Sequence, residues 1–174
     1  MITEIWDILN ENGVATGKTT VRGKCYLKPG EYHLVVHIWI ISSDGKILIQ
    51  KRSHKKKLMP GEWAATGGAA ISGETSFEAA NRELYEELGI ASTNETLKKI
   101  LRLKRRNSIL DVWAINCNLS VDQLKLQESE VSQARWVTKE ELQNMIKSGQ
   151  FHNYGKEYFD KVFSKIDLFQ GATV

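Results

Sequence analysis

Proline and cysteine are scarce, with two of each in 174 residues. So few prolines leave no material for a stiff linker, and no internal repeat or low-complexity tract divides the chain. The cysteines, Cys25 and Cys117, match neither a disulfide framework nor the paired spacing of a zinc site, which points to a reducing compartment. No run approaches the roughly 20 apolar residues that a membrane helix needs. The longest, Leu34 to Ile41, is broken by His37 and reads as a buried strand. The opening Met-Ile-Thr-Glu has no basic segment followed by an apolar one, so no signal peptide is expected and the expected location is cytoplasmic. Excess charge is also small: 24 Lys plus Arg against 21 Asp plus Glu, a net +3, gives no footprint for DNA. What remains, 41% hydrophobic and 26% charged, is ordinary for one globular domain that buries its own core. That excludes a disordered tail, a fibre and a bare coiled coil.

Within residues 1–30, Ile5 to Leu9, the turn Asn10-Glu11-Asn12-Gly13 and the stretch from Val14 onward predict a hairpin extension. Leu34 to Ile41 and Lys46 to Gln50 read as paired antiparallel strands around the turn Ser43-Asp44-Gly45. A loop from Ser53 to Ala65 precedes a glycine-rich stretch, Thr66 to Glu74. Thr75 with Glu78 forms a capping box that opens a helix, and Gly89 stops it. Phe77, Ala80, Leu84 and Leu88 give that helix one apolar face. Leu97 to Leu103, Ile109 to Cys117 and Trp136-Val137 read as strands. A second capping box, Thr138 and Glu141, opens a helix that Gly149 ends, and a last helix runs from Lys156 to Leu168, so helices occupy 138–170. The order predicts an α/β fold with a mixed sheet between helices.

The informative segment is Arg82-Glu83-Leu84-Tyr85-Glu86-Glu87-Leu88-Gly89. At about 100° per residue, Glu83, Glu86 and Glu87 share an arc of about 100°. Carboxylates so placed repel, and two of them sit in the last turn, where the helix dipole already presents its negative end. Arg82, four residues from both Glu78 and Glu86, supplies one positive charge against three. A divalent ion answers the rest, and hard oxygen ligands point to Mg²⁺ or Mn²⁺. A solvated acidic face with surface ion pairs is the alternative. The loop ahead of the helix favours the ion, because Gly67, Gly68 and Gly73 let backbone approach a ligand closely.

Gly68, Glu74, Arg82-Glu83-Leu84, Glu86-Glu87 and Gly89-Ile90 together resemble a complete Nudix box, G-x5-E-x7-R-E-U-x-E-E-x-G-U with U aliphatic, spanning 68–90. The resemblance implies a single Nudix domain over 1–174, an α/β/α sandwich, and divalent-metal-dependent hydrolysis of a nucleoside diphosphate linked to another group. It implies that Glu83, Glu86 and Glu87 are metal ligands, that Gly67 donates a backbone carbonyl to the metal, and that Arg82 orients the glutamates. Gly68, Glu74 and Gly89 become structural positions of the box, with Glu74 tying loop to helix. The segments Glu4-Ile5-Trp6-Asp7, Thr16-Gly17, His33-Leu34, Gln50-Lys51-Arg52-Ser53 and Pro60-Gly61-Glu62-Trp63 are similar to those of isopentenyl-diphosphate-isomerase-like members. True isomerases carry a Cys and a metal-binding His in the glycine loop, and a glutamate pair on a later strand. Here those regions read Thr66-Gly67-Gly68-Ala69 and Arg105-Arg106-Asn107-Ser108, without the acid–base pair that isomerisation needs.

Bound metal screens a diphosphate and lowers the pKa of the attacking water. Glu83, central in the acidic face, is the first choice of base, and Glu128 and Glu130 are alternatives from a later loop. Arg52, ending a strand, suits bidentate phosphate contact, whereas Lys55, Lys56 and Lys57 read as solvated. Lys104-Arg105-Arg106 is a second basic cluster. His33 and His37 read as satisfied histidines, with His37 structural, and Trp63 and Trp113 as core residues or base-stacking platforms. The function expected is a diphosphohydrolase acting on a small-molecule diphosphate, as a monomer or homodimer. A non-catalytic nucleotide-sensing module and an allylic diphosphate isomerase are the competing readings.

Overall fold

The structure is a computed structural model and describes residues 4–23 and 27–171, so Cys25 lies outside the described residues. Strands β1 (Ile5–Leu9) and β2 (Ala15–Val21) form the N-terminal hairpin that the sequence predicts. Its turn is held by the Asn10 side chain, which accepts from the amides of Asn12 and Val14.

The main sheet is built from β3 (His33–Ile41), β4 (Ile47–Arg52), β5 (Trp63–Ala64), β6 (Thr66–Ala69), β7 (Leu97–Lys104), β8 (Ser108–Asn116) and β9 (Val131–Val137). Its central path runs β5-β4-β3-β8-β7, with β6 also on β3 and β9 also on β4. The sheet is mixed, because β3 and β8 run parallel while the other pairs are antiparallel. Three helices complete the fold: α1 (Ser76–Leu88), α2 (Lys139–Lys147) and α3 (Lys156–Gly171). Among the described residues no helix is long and apolar enough to cross a membrane.

Strand β3 explains the layering. Val36, Ile38 and Ile40 pack with Ala79, Ala80, Leu84 and Leu88 of α1, while Trp39 and Ile41 pack with Leu142 of α2 and Phe159, Val162 and Ile166 of α3. A strand covered on both faces reads as a continuous apolar run instead of an alternating one.

Two corrections concern the segments around β4. The β3–β4 hairpin forms, but the strands pair only beside the turn, at Ile40 with Leu48 and Ile41 with Ile47. Beyond it they part: β4 takes β5 and β9 as partners, and β3 takes β6. The glycine-rich stretch is therefore strand at Thr66–Ala69, not loop throughout. Its glycines provide the close approach that this second partner of β3 requires.

His37 is buried as the sequence suggests. Its Nδ1 lies 2.8 Å from the Tyr158 hydroxyl, which also accepts from Trp39 Nε1 at 3.0 Å. A hydroxyl offers one donor and two acceptor positions, so Tyr158 can satisfy both rings within the core. Burial, helped by Arg105 and His152, lowers the His37 pKa to about 3. The unfolded chain takes up a proton near pH 6.5 that the folded chain refuses until about 3, so folding stability is lost as pH falls through this window. The expected slope in urea unfolding is up to about 1.4 kcal/mol per pH unit from this residue. The His37→Asn variant is expected to show a flatter slope, and an unchanged one would remove His37 as its source.

Candidate active site

Helix α1 starts and stops where its ends are chemically satisfied. The Thr75 hydroxyl accepts from the Glu78 amide, and the Glu78 carboxylate accepts from the Thr75 amide. Glu78 is thereby committed to the cap, so Arg82 meets Glu86 and not Glu78. At the other end Gly89 adopts a φ of 71°, and a Cβ there would come within 2.7 Å of Lys125 Cβ. With Ala79, Ala80, Leu84 and Leu88 buried in the core, the helix turns Glu83 and Glu87 toward β6.

The Arg82 guanidinium is the hub. Its Nε donates to Glu74 at 2.7 Å, and one terminal nitrogen donates to Glu83 at 2.8 Å and Glu86 at 3.2 Å. The other donates to Glu74 at 3.0 Å and to the Ala69 carbonyl at 3.1 Å. These contacts occupy all five N–H groups of an arginine and raise its pKa further. Glu74 also accepts from the Ile71 amide, tying loop to helix.

Glu87 is 2% exposed. Its carboxylate accepts from Gln50 Nε2 at 2.7 Å and from the Gly67 amide at 3.3 Å. Burial, then the neighbouring Glu83 charge, pushes its pKa up to about 8. Burial likewise raises Glu83, opposed by Arg82. The Glu83 carboxylate lies against the backbone of Gly68, where a Cβ would come within 2.4 Å of its oxygen.

These side chains line a cleft of about 500 Å³, which also receives Arg52, Lys56, Gln127 and Glu130, and Glu4 and Arg22 from the N-terminal hairpin. Arg52 ends β4 there, and among the described residues only its Nε is engaged, by the Leu58 carbonyl at 3.1 Å. Lys56 is not solvated as expected: it pairs with Glu130 inside the cleft, while Lys55 and Lys57 are exposed. Of the two alternative bases, Glu130 lines the cleft and Glu128 is exposed outside it. Other candidates lie elsewhere. Arg105 packs 5.7 Å from the Tyr158 ring centre, Trp113 is buried with its Nε1 donating to Ser76, and Trp63 stacks under Arg135 at 4.7 Å. His33 stacks on Trp6 at 4.3 Å.

Gln50, Lys56 and Arg22 escape a reading of the sequence. Gln50 left one trace. It shares the face of β4 with Leu48, two residues earlier, so a polar side chain points at the core where α1 packs.

A family profile described as the NUDIX domain matches residues 31–159. The chain belongs to the Nudix family. This Nudix hydrolase is 43% identical over 152 residues to an uncharacterized Nudix hydrolase of Listeria monocytogenes, covering 87% of this chain and 89% of that one. It is 34% identical over 145 residues to the uncharacterized Nudix hydrolase YfcD of Escherichia coli, covering 80% and 77%. The crystal structure of DR0079 from Deinococcus radiodurans matches it with a TM-score of 0.72 at 26% identity, over 85% of this chain and 91% of that one.

The Nudix box also permits a test of fit to a divalent ion. Glu83 and Glu86 are turned to Arg82, and Glu87 to Gln50 and Gly67. Among the described residues no three acidic, His or Cys side chains converge tightly enough to close on an ion. The chemistry nevertheless suits one. Glu74, Glu83 and Glu86 share a single guanidinium, Glu87 accepts from the neutral Gln50 and Gly67, and the last turn of α1 holds no basic residue. Burial is the main cause that raises Glu83 and Glu87, and the Glu83 charge adds to it at Glu87. Hard oxygen donors fit Mg²⁺ or Mn²⁺.

Proposed function

We propose that this Nudix hydrolase is a divalent-metal-dependent enzyme that cleaves the diphosphate linkage of a nucleoside diphosphate or a nucleoside-diphosphate derivative. The observation that carries the reading is the row of Glu83, Glu86 and Glu87 along one helix, lining a cleft that also holds Arg52, Lys56 and Arg22. Glu83, Glu86, Glu87 and the Gly67 carbonyl hold Mg²⁺ or Mn²⁺ in this reading. Bound there, the ion screens the diphosphate charge, acidifies a water and stabilises the leaving oxygen.

The remaining work falls to the chain. Arg82 and Glu74 fix the glutamates against the glycine strand. Gln50 and the Gly67 amide orient Glu87. Glu83 takes the proton of the attacking water, since it sits between Glu86 and Glu87 in the acidic face and lies against the glycine strand inside the cleft. Glu130 is the alternative base, because it shares the cleft. Arg52 receives substrate phosphate with its two uncommitted nitrogens.

Chromatographic product analysis with Mg²⁺ or Mn²⁺ over nucleoside di- and triphosphates, nucleotide sugars and ADP-ribose tests the proposal. Turnover on at least one substrate, abolished by chelation, is expected. Binding without turnover across the panel would instead identify a sensing module. The isopentenyl-diphosphate-isomerase-like reading finds little support, because among the described residues no cysteine lines the cleft. Cys117 packs against the core on the α1 side.

A further inference from the structure

The β1–β2 hairpin precedes residue 31, where the matched family profile begins. It is docked on the matched domain at several points. Leu9 and Tyr32 exchange backbone hydrogen bonds at 2.7 and 2.9 Å, and Trp6 stacks on His33. The Ile5 carbonyl accepts from the Ser72 amide at 2.7 Å. Asp7 then grips the glycine loop with both oxygens, accepting from the Ser72 hydroxyl at 2.6 Å and the Gly73 amide at 2.9 Å. This loop connects β6 to the acidic helix, so the hairpin is fastened to the catalytic framework itself.

The outer end of the hairpin enters the cleft as Glu4 and Arg22. Both Glu4 oxygens accept from the same terminal nitrogen of Arg22, at 2.8 and 2.7 Å. Among the described residues the Nε and the second terminal nitrogen of Arg22 have no acceptor, although the side chain is 42% exposed and lines the cleft. The other cleft cations are differently placed. Arg82 has no N–H left, and Lys56 is paired with Glu130. Arg52 and Arg22 are the guanidinium groups with donors to offer, and each can present two parallel N–H groups to a phosphate.

We propose that the N-terminal hairpin is part of the substrate site: it brings Arg22 into the cleft as a second phosphate-binding guanidinium, with Asp7 the positioning residue that fastens it to the glycine loop. The inference deepens the hydrolase reading and rests on it for the substrate class, a phosphoanhydride carrying charge at both ends of the cleft. Glu4 engages one terminal nitrogen of Arg22, the guanidinium lies 5.9 Å from the Trp6 ring centre, and among the described residues its other donors are left for the ligand.

Calorimetry with inorganic pyrophosphate on the full chain tests the site without turnover. Arg22→Gln is expected to weaken binding about tenfold, the scale of one charge-assisted contact. Arg22→Lys is expected to recover part of the loss, and Asp7→Ala to weaken binding by a similar factor. The double variant is expected to be no weaker than Arg22→Gln alone by more than about twofold, because both changes remove one contact. With the best substrate of the panel, the Arg22→Gln defect is expected in KM and not in kcat. Equal pyrophosphate affinity of wild type and Arg22→Gln, or no binding to the wild type, overturns the proposal. Intact pyrophosphate binding with no hydrolysis of any substrate overturns the hydrolase reading and leaves this one standing.

Discussion

The Glu83→Gln variant is expected to lose about 10²- to 10⁴-fold in kcat, the range associated with removing a positioned general base. Its fold is expected to survive. Glutamine is nearly isosteric, and its amide oxygen still accepts from Arg82, which donates to Glu83 at 2.8 Å. The substitution also removes a buried charge that helps push Glu87 up to about 8. The thermal midpoint of the metal-free protein is therefore expected to hold or rise while turnover disappears. Measured kcat within a few-fold of wild type at saturating Mg²⁺ would take Glu83 out of the chemistry and direct attention to Glu130.

Gly67→Ala is expected to damage the fold itself. Gly67 has a φ of 151°, and a Cβ built there falls 2.1 Å from the Val36 carbonyl oxygen and 3.1 Å from His37 Cα. Both are backbone atoms of β3, buried in the centre of the sheet, and cannot swing aside. Backbone strain of about 1–3 kcal/mol and overpacking of about 1–3 kcal/mol act together. Their sum is a large part of a typical stability of about 5–15 kcal/mol. A large drop in the urea midpoint, or recovery only as aggregate, is the expected result. Gly68→Ala makes the contrast. The atoms nearest its Cβ belong to the Glu83 carboxylate, at 2.4 Å, a side chain and not backbone. That variant is expected to fold and to lose activity. Equal stability of the two variants would show that β3 and β6 are less rigidly paired than their register implies.

Helix α1 was legible because its signals are local. The capping box at Thr75 and Glu78, the left-handed Gly89 and the apolar positions all lie within fifteen residues, and each acts on its neighbours. The concentration of charge on Glu83, Glu86 and Glu87 was legible for the same reason. What long-range pairing decides was not. The turn at Ser43-Asp44-Gly45 fixes only the first rungs of the β3–β4 hairpin, and nothing within either strand announces that they separate. Once separated, β4 delivers Gln50 to Glu87 and Arg52 to the cleft, while β3 accepts Gly67 and Gly68. Glu128 and Glu130 looked alike in sequence. The Glu130 amide and carbonyl are both used in closing the loop onto Gln127 and Ser53, and that anchoring turns its side chain inward to Lys56.

The saturated guanidinium of Arg82 has a thermodynamic corollary. Any ligand that draws Glu83 or Glu86 toward itself strips Arg82 of an acceptor in the same motion, so occupancy of the carboxylates is an exchange reaction. A singly charged ion offers those oxygens no more than the arginine already does, in a fork geometry it cannot match. A doubly charged competitor gains more from the same oxygens than the arginine does. In the metal-dependent reading the hub would thus set a threshold that favours a divalent ion over sodium or potassium without any cavity sized to exclude them.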